Sequence, residues 1–233
     1  MVLQINQITI PLKETGMTCM TKLQTLALLT ALSSCSSLPL YDYGFNTIKE
    51  SYLSLDNQLI DEAYMKSTKY AFIKVRFGSS RSSLLTLVKE DQNTLEWISA
   101  DGIKIFTRYG KIIKTNGLPN DIEILSYQDF TSFNGSNFNS SFITNFYEPK
   151  LLEQLTSAAF SRKGMKRIKS PVAGRDKIQV NLIKEKIYIQ SINWTRTNKY
   201  FYNSNQEIEK TIQYIHPFSS PITIEFVKKY RKS

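Results

Sequence analysis

From Tyr70 onward the sequence changes character at every second position, and its short alternating runs are separated by turn-forming residues. In AFIKVRFG, Ile73, Val75 and Phe77 alternate with Phe72, Lys74 and Arg76; near the end, Ile222, Ile224 and Phe226 alternate with Thr223 and Glu225. Successive strand residues point to opposite faces, so this pattern buries one face and wets the other. Between these runs lie SLLTLVKE, TLEWIS, GIKIFTR, KIIKT, KIQVNLI, EKIYIQSINW, NKYFYN and EIEKTIQYI, each short and rich in β-branched or aromatic residues. Their separators are Asp101-Gly102, Tyr109-Gly110, Asn116-Gly117 and Asn203-Ser204-Asn205. Many short strands and tight turns predict a mainly β chain, an antiparallel meander forming a closed or half-open barrel or sandwich. SLLTLV is apolar on both faces and is expected to be a central strand, while Thr131 to Ser141 is expected to be the long loop. Ahead of the strands, Phe45, Ile48, Tyr52, Leu55 and Leu59 recur at helical spacing and predict a short N-terminal helix. Few runs reach the roughly 9–11 apolar-banded residues of a membrane-spanning strand, and most carry outward charge.

The first part of the chain has a different organisation. From Met20 it reads MTKLQTLALLTALSSC: Lys22 is a cationic start, Leu23 to Leu32 an apolar run, and Ser33 and Ser34 small residues before Cys35. Such a segment is a signal peptide by its mechanics. Its apolar run is about half of the roughly 20 residues that span a bilayer as a helix. LSSC matches the bacterial lipobox, which predicts cleavage between Ser34 and Cys35 and lipidation of Cys35. Residues 1–34 are therefore read as a leader, with true initiation expected at Met17 or Met20, residues 35–44 as a lipidated tether, and 45–233 as a single β-rich domain. Ser36 after the cysteine favours the outer membrane, by resemblance to sorted lipoproteins of enterobacteria. Cys19 and Cys35 both precede the domain, which is thus expected to hold no disulfide.

The formal charge is +10, and loss of Lys13, Glu14 and Lys22 with the leader leaves about +9. That excess implies anionic partners such as lipid head groups or acidic glycans; nucleic acid is excluded from the expectation by the export signal. The cations are densest in SRKGMKRIKSPVAGRDK, where Arg162, Lys163, Lys166, Arg167, Lys169, Arg175 and Lys177 are opposed only by Asp176. Gly164 or the Pro171 to Gly174 stretch is expected to turn the chain there. Either this is a solvated hairpin face, or Arg162, Lys163, Lys166, Arg167 and Lys169 form an anion-binding surface for acidic polysaccharide or lipopolysaccharide.

The segment LEWISADGIKIFTRYGKIIKTNGLPNDIEIL, residues 95–125, carries Trp97, a Ser99 to Gly102 turn, Gly110, and a Thr115 to Asp121 stretch. This pattern resembles the group 4 capsule polysaccharide lipoproteins of the YjbF/GfcB type. KYAFIKVRFG and SLLTLVKE fit that family's first hairpin, and NKYFYNSNQEIEKTIQYIHPFSSPITIEFVK fits its closing strands, with Gln213 at a position the family usually fills with Gln. Phe130 to Arg175 is poorly matched. The resemblance implies an outer-membrane lipoprotein of largely β structure serving surface polysaccharide production or export, and implies no catalytic residues.

The residue inventory itself points away from catalysis. His216 is the only histidine and precedes Pro217, a position expected for packing or a loop, and no metal-ligand spacing or phosphate-binding glycine motif occurs, so no cofactor is expected. Asp121 with Glu123, and Glu207 with Glu209, lie two apart and would share a strand face; glycosidases use paired carboxylates, but exposed strand faces are ordinarily charged. Trp97 and Trp194 could stack on sugar rings, or pack between strands. The leading expectation is a non-enzymatic binding or scaffolding accessory of polysaccharide export, with outer-membrane export proteins as candidate partners. A lipid or lipoprotein carrier with an apolar half-barrel cavity is the alternative, and a glycan-cleaving enzyme the third. The lipobox predicts that Cys35→Ser leaves an uncut precursor carrying no palmitate, checked by metabolic labelling; a labelled mutant would overturn the assignment.

Overall fold

The structure is a computed structural model that describes residues 60–126 and 137–230. The leader, Ser34, Cys35, the tether and the apolar stripe Phe45–Leu59 lie outside the described residues. The described helix, α1, is Glu62–Ser67. Asp61 caps it by accepting from Tyr64 N at 2.8 Å, Glu62 and Lys66 suit the two ends of its dipole, and Thr68 N closes it onto Tyr64 O.

Twelve strands follow: β1 Phe72–Phe77, β2 Ser82–Asp91, β3 Thr94–Ile98, β4 Lys104–Arg108, β5 Lys111–Asn116, β6 Ile122–Ser126, β7 Phe138–Tyr147, β8 Lys150–Ile168, β9 Ile178–Ile189, β10 Trp194–Tyr202, β11 Ile208–Gln213 and β12 Ile222–Lys228. Each pairs antiparallel with its chain neighbours and β1 closes onto β12, so the meander forms a closed barrel. Closure removes sheet edges. Every strand is therefore central, and the double-sided apolar character of β2 has another cause: Leu85 faces the interior, while Leu84 lies in an outer cluster with Ile60, Phe72, Val172 and Val227, against which Tyr64 and Met65 of α1 pack.

The alternating pattern sorts as expected. Ile73, Val75, Leu85, Trp97, Ile105, Ile224 and Phe226 are among the residues of the main core, and Trp97 meets Phe226 edge to face at 6.1 Å. Charged pairs such as Lys114–Glu123 and Lys210–Glu225 bridge strands on the outer wall at 2.7 and 2.8 Å. An apolar interior with a charged exterior is the inverse of a membrane-spanning barrel.

Two expectations need correction. Phe138 to Ser141, expected within the long loop, begins β7, because paired residues Phe138 and Phe160 stack at 4.4 Å and hold that end in the sheet. KIQVNLI and EKIYI form one strand, β9, since Lys184, the polar residue between them, simply takes an outer position; the break comes at the 3-10 turn Gln190–Ile192. Of the two turn positions expected for the basic segment, Gly164 is not the one used. It occupies a positive-φ bulge inside β8, between Arg162 and Met165 where the register with β9 shifts, and the turn lies in the Pro171 to Gly174 stretch.

Beyond the shared ladders, β5 and β11 touch across the barrel. Gln213 Oε1 accepts from Ile112 N at 2.9 Å, and Gln213 Nε2 donates to Gly110 O at 2.9 Å. The contact is close enough that a Cβ on Gly110 would lie 2.9 Å from Ile208 Cγ1, and Gly110 also has φ +82°. Gly102, at φ +85°, has open space around it. Gly102→Ala is thus expected to cost about 1–2 kcal/mol for left-handed backbone alone. Gly110→Ala should cost roughly 1–3 kcal/mol more for the forced overlap. Equal losses of the two variants in denaturant unfolding would show that the cross-barrel contact yields freely.

Candidate functional site

Two polar assemblies stand out, one inside the barrel and one on its outer wall. The interior one is built where β5, β9, β10 and β11 converge. Lys111 and Glu185, 4% and 0% exposed in their side chains, form a direct ion pair. Asn198 Nδ2 and Tyr200 OH donate to the same carboxylate at 2.9 and 2.6 Å, and Lys111 Nζ lies 3.8 Å from the centroid of Phe142. Asn198 Oδ1 in turn accepts from Tyr214 N at 2.7 Å. Burial pulls the Lys111 ammonium below its ordinary range, and Glu185 opposes that pull. Burial, and then the charge of Glu185, raise the Tyr202 phenol well above its usual value, keeping its hydroxyl a donor to Tyr109 O at 3.1 Å. The cavity beside this network is about 30 Å³ and is lined by Lys111, Phe142, Thr144, Thr156, Trp194 and Asn198, among others. That is about the room of one water.

On the outer wall, β8 runs on past the barrel. Its inner residues Thr156, Ala158 and Phe160 are buried, whereas Arg162 to Arg167 are all exposed. Arg162, Lys163, Lys166 and Arg167 thus stand on a strand extension with no ion pair among the described residues, and Met165 between them is 69% exposed. Ile168 and Ile178, where β8 ends and β9 begins, pack with Val180, Leu182, Phe201 and Ile212 on the outer face of β9 to β11. The connection after β8 then crosses to α1: Ala173 N donates to Ile60 O at 2.6 Å, Val172 is 2% exposed among Phe72 and Val227, and Arg175 pairs with Glu62 at 2.5 Å. Lys169 therefore parts from the other four candidates and lines a groove with Lys74 and Arg76 of β1, which the sequence reading did not connect with it. The alternation of β1 marked Lys74 and Arg76 as outward, but their nearness to residue 169 depends on how the connection folds back.

The remaining candidates have structural partners. Asp121 accepts from Gly117 N and Leu118 N at 2.8 and 3.1 Å, while Glu123 is held by Lys114 and Tyr147, whose hydrogen bonds keep it below the usual carboxylate range. Glu207 and Glu209 both engage Lys229 and Asn203. His216 is fully buried, accepts from Phe218 N at 3.1 Å and meets Phe146 edge to face at 5.0 Å; burial lowers its pKa. Trp97 is buried and donates to Thr107 Oγ1 at 2.8 Å, and Trp194, 8% exposed, packs on Phe146. Both tryptophans therefore pack between strands.

The motif residues of positions 97–121 have an equally clear role. Ser99 Oγ contacts Asp101 and accepts from Ile103 N, Gly102 N donates to Ser99 O, Thr115 Oγ1 accepts from Ile122 N at 3.1 Å, and Gly110 and Gln213 make the cross-barrel contact. They hold turns and strand ends of the barrel together. The ion pair itself is testable: Lys111→Met strands the Glu185 carboxylate in the interior and should cost about 3–5 kcal/mol in chemical unfolding. Adding Glu185→Gln should restore much of that loss; purely additive losses would show that the two charges are not coupled.

The sequence model of the group 4 capsule polysaccharide lipoprotein family (gfcB, YjbF) matches residues 45–227. No curated protein sequence matches the chain. Among solved structures, the hypothetical lipoprotein YmcC from Escherichia coli superposes with a TM-score of 0.61 at 18% identity, over 85% of this chain and 100% of that one, so the two share a fold. With the match spanning every described strand except the last residue of β12, this chain belongs to the group 4 capsule polysaccharide lipoprotein family.

Proposed function

We propose that the protein is an outer-membrane lipoprotein, anchored by lipid on Cys35, that serves capsule or exopolysaccharide production or export as a non-catalytic binding accessory. The observation that carries this reading is the β8 extension, where Arg162, Lys163, Lys166 and Arg167 are exposed and unpaired by ions among the described residues. Crowding like charges on one strand does not stabilise a sheet. An acidic polymer or lipopolysaccharide gives them a partner, and the family to which the chain belongs is named for a polysaccharide.

The carrier alternative asks for an interior space, and small-ligand sites occupy roughly 300–1,000 Å³. The cavity at the Lys111 network is about 30 Å³, which favours binding on the outer wall over carriage within. Against glycan cleavage, both carboxylate pairs are already engaged by structural partners, and the single histidine is buried in aromatic packing.

Replacing Arg162, Lys163, Lys166 and Arg167 together by glutamine should leave folding intact and weaken binding to long acidic polysaccharide or lipopolysaccharide about tenfold at low salt. Its salt dependence should flatten as well, since exposed charges are screened beyond about 8 Å at physiological ionic strength. Unchanged binding by the folded variant would return these cations to a solvated face.

A further inference from the structure

We propose that the groove beside the β8–β9 connection is an oxyanion subsite, built to hold a carboxylate or phosphate carried on a sugar. The groove has a volume of about 390 Å³. Its floor is the outer face of β11, β12 and β1, and its overhanging side is the connection at Lys169, Ser170 and Ala173. The choice of a glycan follows from the acidic-polymer reading above; the anion itself follows from the residues.

Lys74 and Arg76 lie two apart on β1 and share its outer face. Across the ladders Lys74 stands opposite Glu225, and Glu225 stands opposite Lys210. The carboxylate is committed to Lys210 at 2.8 Å. Lys74, Arg76 and Lys169 then have no ion pair among the described residues, although all three line the same groove. The half-buried Lys74 is the informative member, because it lines the groove with Arg76 and Lys169 while the carboxylate opposite it, Glu225, is bonded to Lys210. An entering oxyanion supplies the Lys74 ammonium with a charge partner. Arg76 offers a planar fork for bidentate contact with carboxylate or phosphate. Thr223 lies opposite Arg76 in register and, with Ser170 and Ser82, supplies hydroxyls around the same space.

The shape selects among anions. The connection is seated on the wall by Val172, which packs with Phe72 and Val227, and by the Ala173 to Ile60 hydrogen bond. A recess beside a seated connection suits a narrow acidic chain better than a planar bilayer. The groove volume also lies within the range of small-ligand sites, roughly 300–1,000 Å³. The extension bearing Arg162 to Arg167 then acts as a long-range attractor, and the groove as the place where a charged sugar is gripped.

The experiment titrates the full-length protein in detergent by calorimetry with trigalacturonate, glucose 1-phosphate and soluble dihexanoyl-phosphatidylglycerol. The Lys74→Gln/Arg76→Gln variant should weaken sugar-anion binding at least tenfold. Lys169→Gln, which lies outside the sheet and does not burden its folding, should weaken it at least threefold. The control is Lys150→Gln, exposed at the start of β8 and outside the groove lining, which should stay within threefold of the unmodified protein, and the glutamine variant of Arg162, Lys163, Lys166 and Arg167 is titrated beside it. The tighter of the two sugar ligands then identifies carboxylate or phosphate as the natural group. If folded groove variants bind these small ligands as well as the unmodified protein does, or if only the phospholipid binds, the subsite is overturned. Loss of small-ligand binding in the extension variant but not in the groove variants would also overturn it, while leaving acidic-polymer binding at the extension standing.

Discussion

The structure depends on filling the inside of a twelve-stranded barrel. Eight strands already enclose a space that side chains from the walls just fill, and diameter grows with strand number. Twelve strands can surround a dry core only if opposite walls are drawn together. Here β5 is pulled against β11, where Gly110 admits Ile208 at a distance that no Cβ would tolerate, and Gln213 bonds to the backbone of both Gly110 and Ile112. Five strands lie on either side of this contact. The interior is consequently a packed core, with a cavity of about 30 Å³ where the walls diverge.

That contact explains why a charged network is buried beside it. Lys111 follows Gly110 immediately, and its placement next to the pinch commits a long cationic side chain to the interior. Only an equally buried anion makes this tolerable, and Glu185 supplies it with Asn198 and Tyr200 occupying its second oxygen. The family motif is the outer part of the same construction: its turn residues, Thr115 and Gln213 satisfy backbone groups at strand ends and at the crossing. These residues serve the barrel itself, tying turns and strand ends together.

The outer wall is built differently. β8 is longer than the barrel requires, and its surplus length carries cations on both faces before the chain turns back to seat Val172 beside α1. One continuous stretch of sequence therefore yields two different surfaces, an exposed basic extension and the overhang of a basic groove. The groove borrows Lys74 and Arg76 from the first strand of the domain.

Much of the barrel was legible in the sequence, because the period of two and the turn residues are local properties of the chain. Ile73, Val75, Ile222 and Ile224 could be assigned to the inner face before any partner strand was known, and the cations of residues 162–177 to a solvent-facing segment. What escaped local reading was decided by distant partners. Phe138 looked like loop because its neighbours are polar, and it becomes strand through Phe160. Nothing in the run KIIKT separates Lys111 from Lys114, and only the approach of β5 to β11 with Glu185 on β9 puts it inside. Lys169 belonged by sequence with Arg167, yet the fold sets it beside Lys74 and Arg76. The alternation of side chains along a strand determines which face each residue takes, but which strands meet across the barrel, and where an overhanging connection lands, depends on packing between residues far apart in the chain.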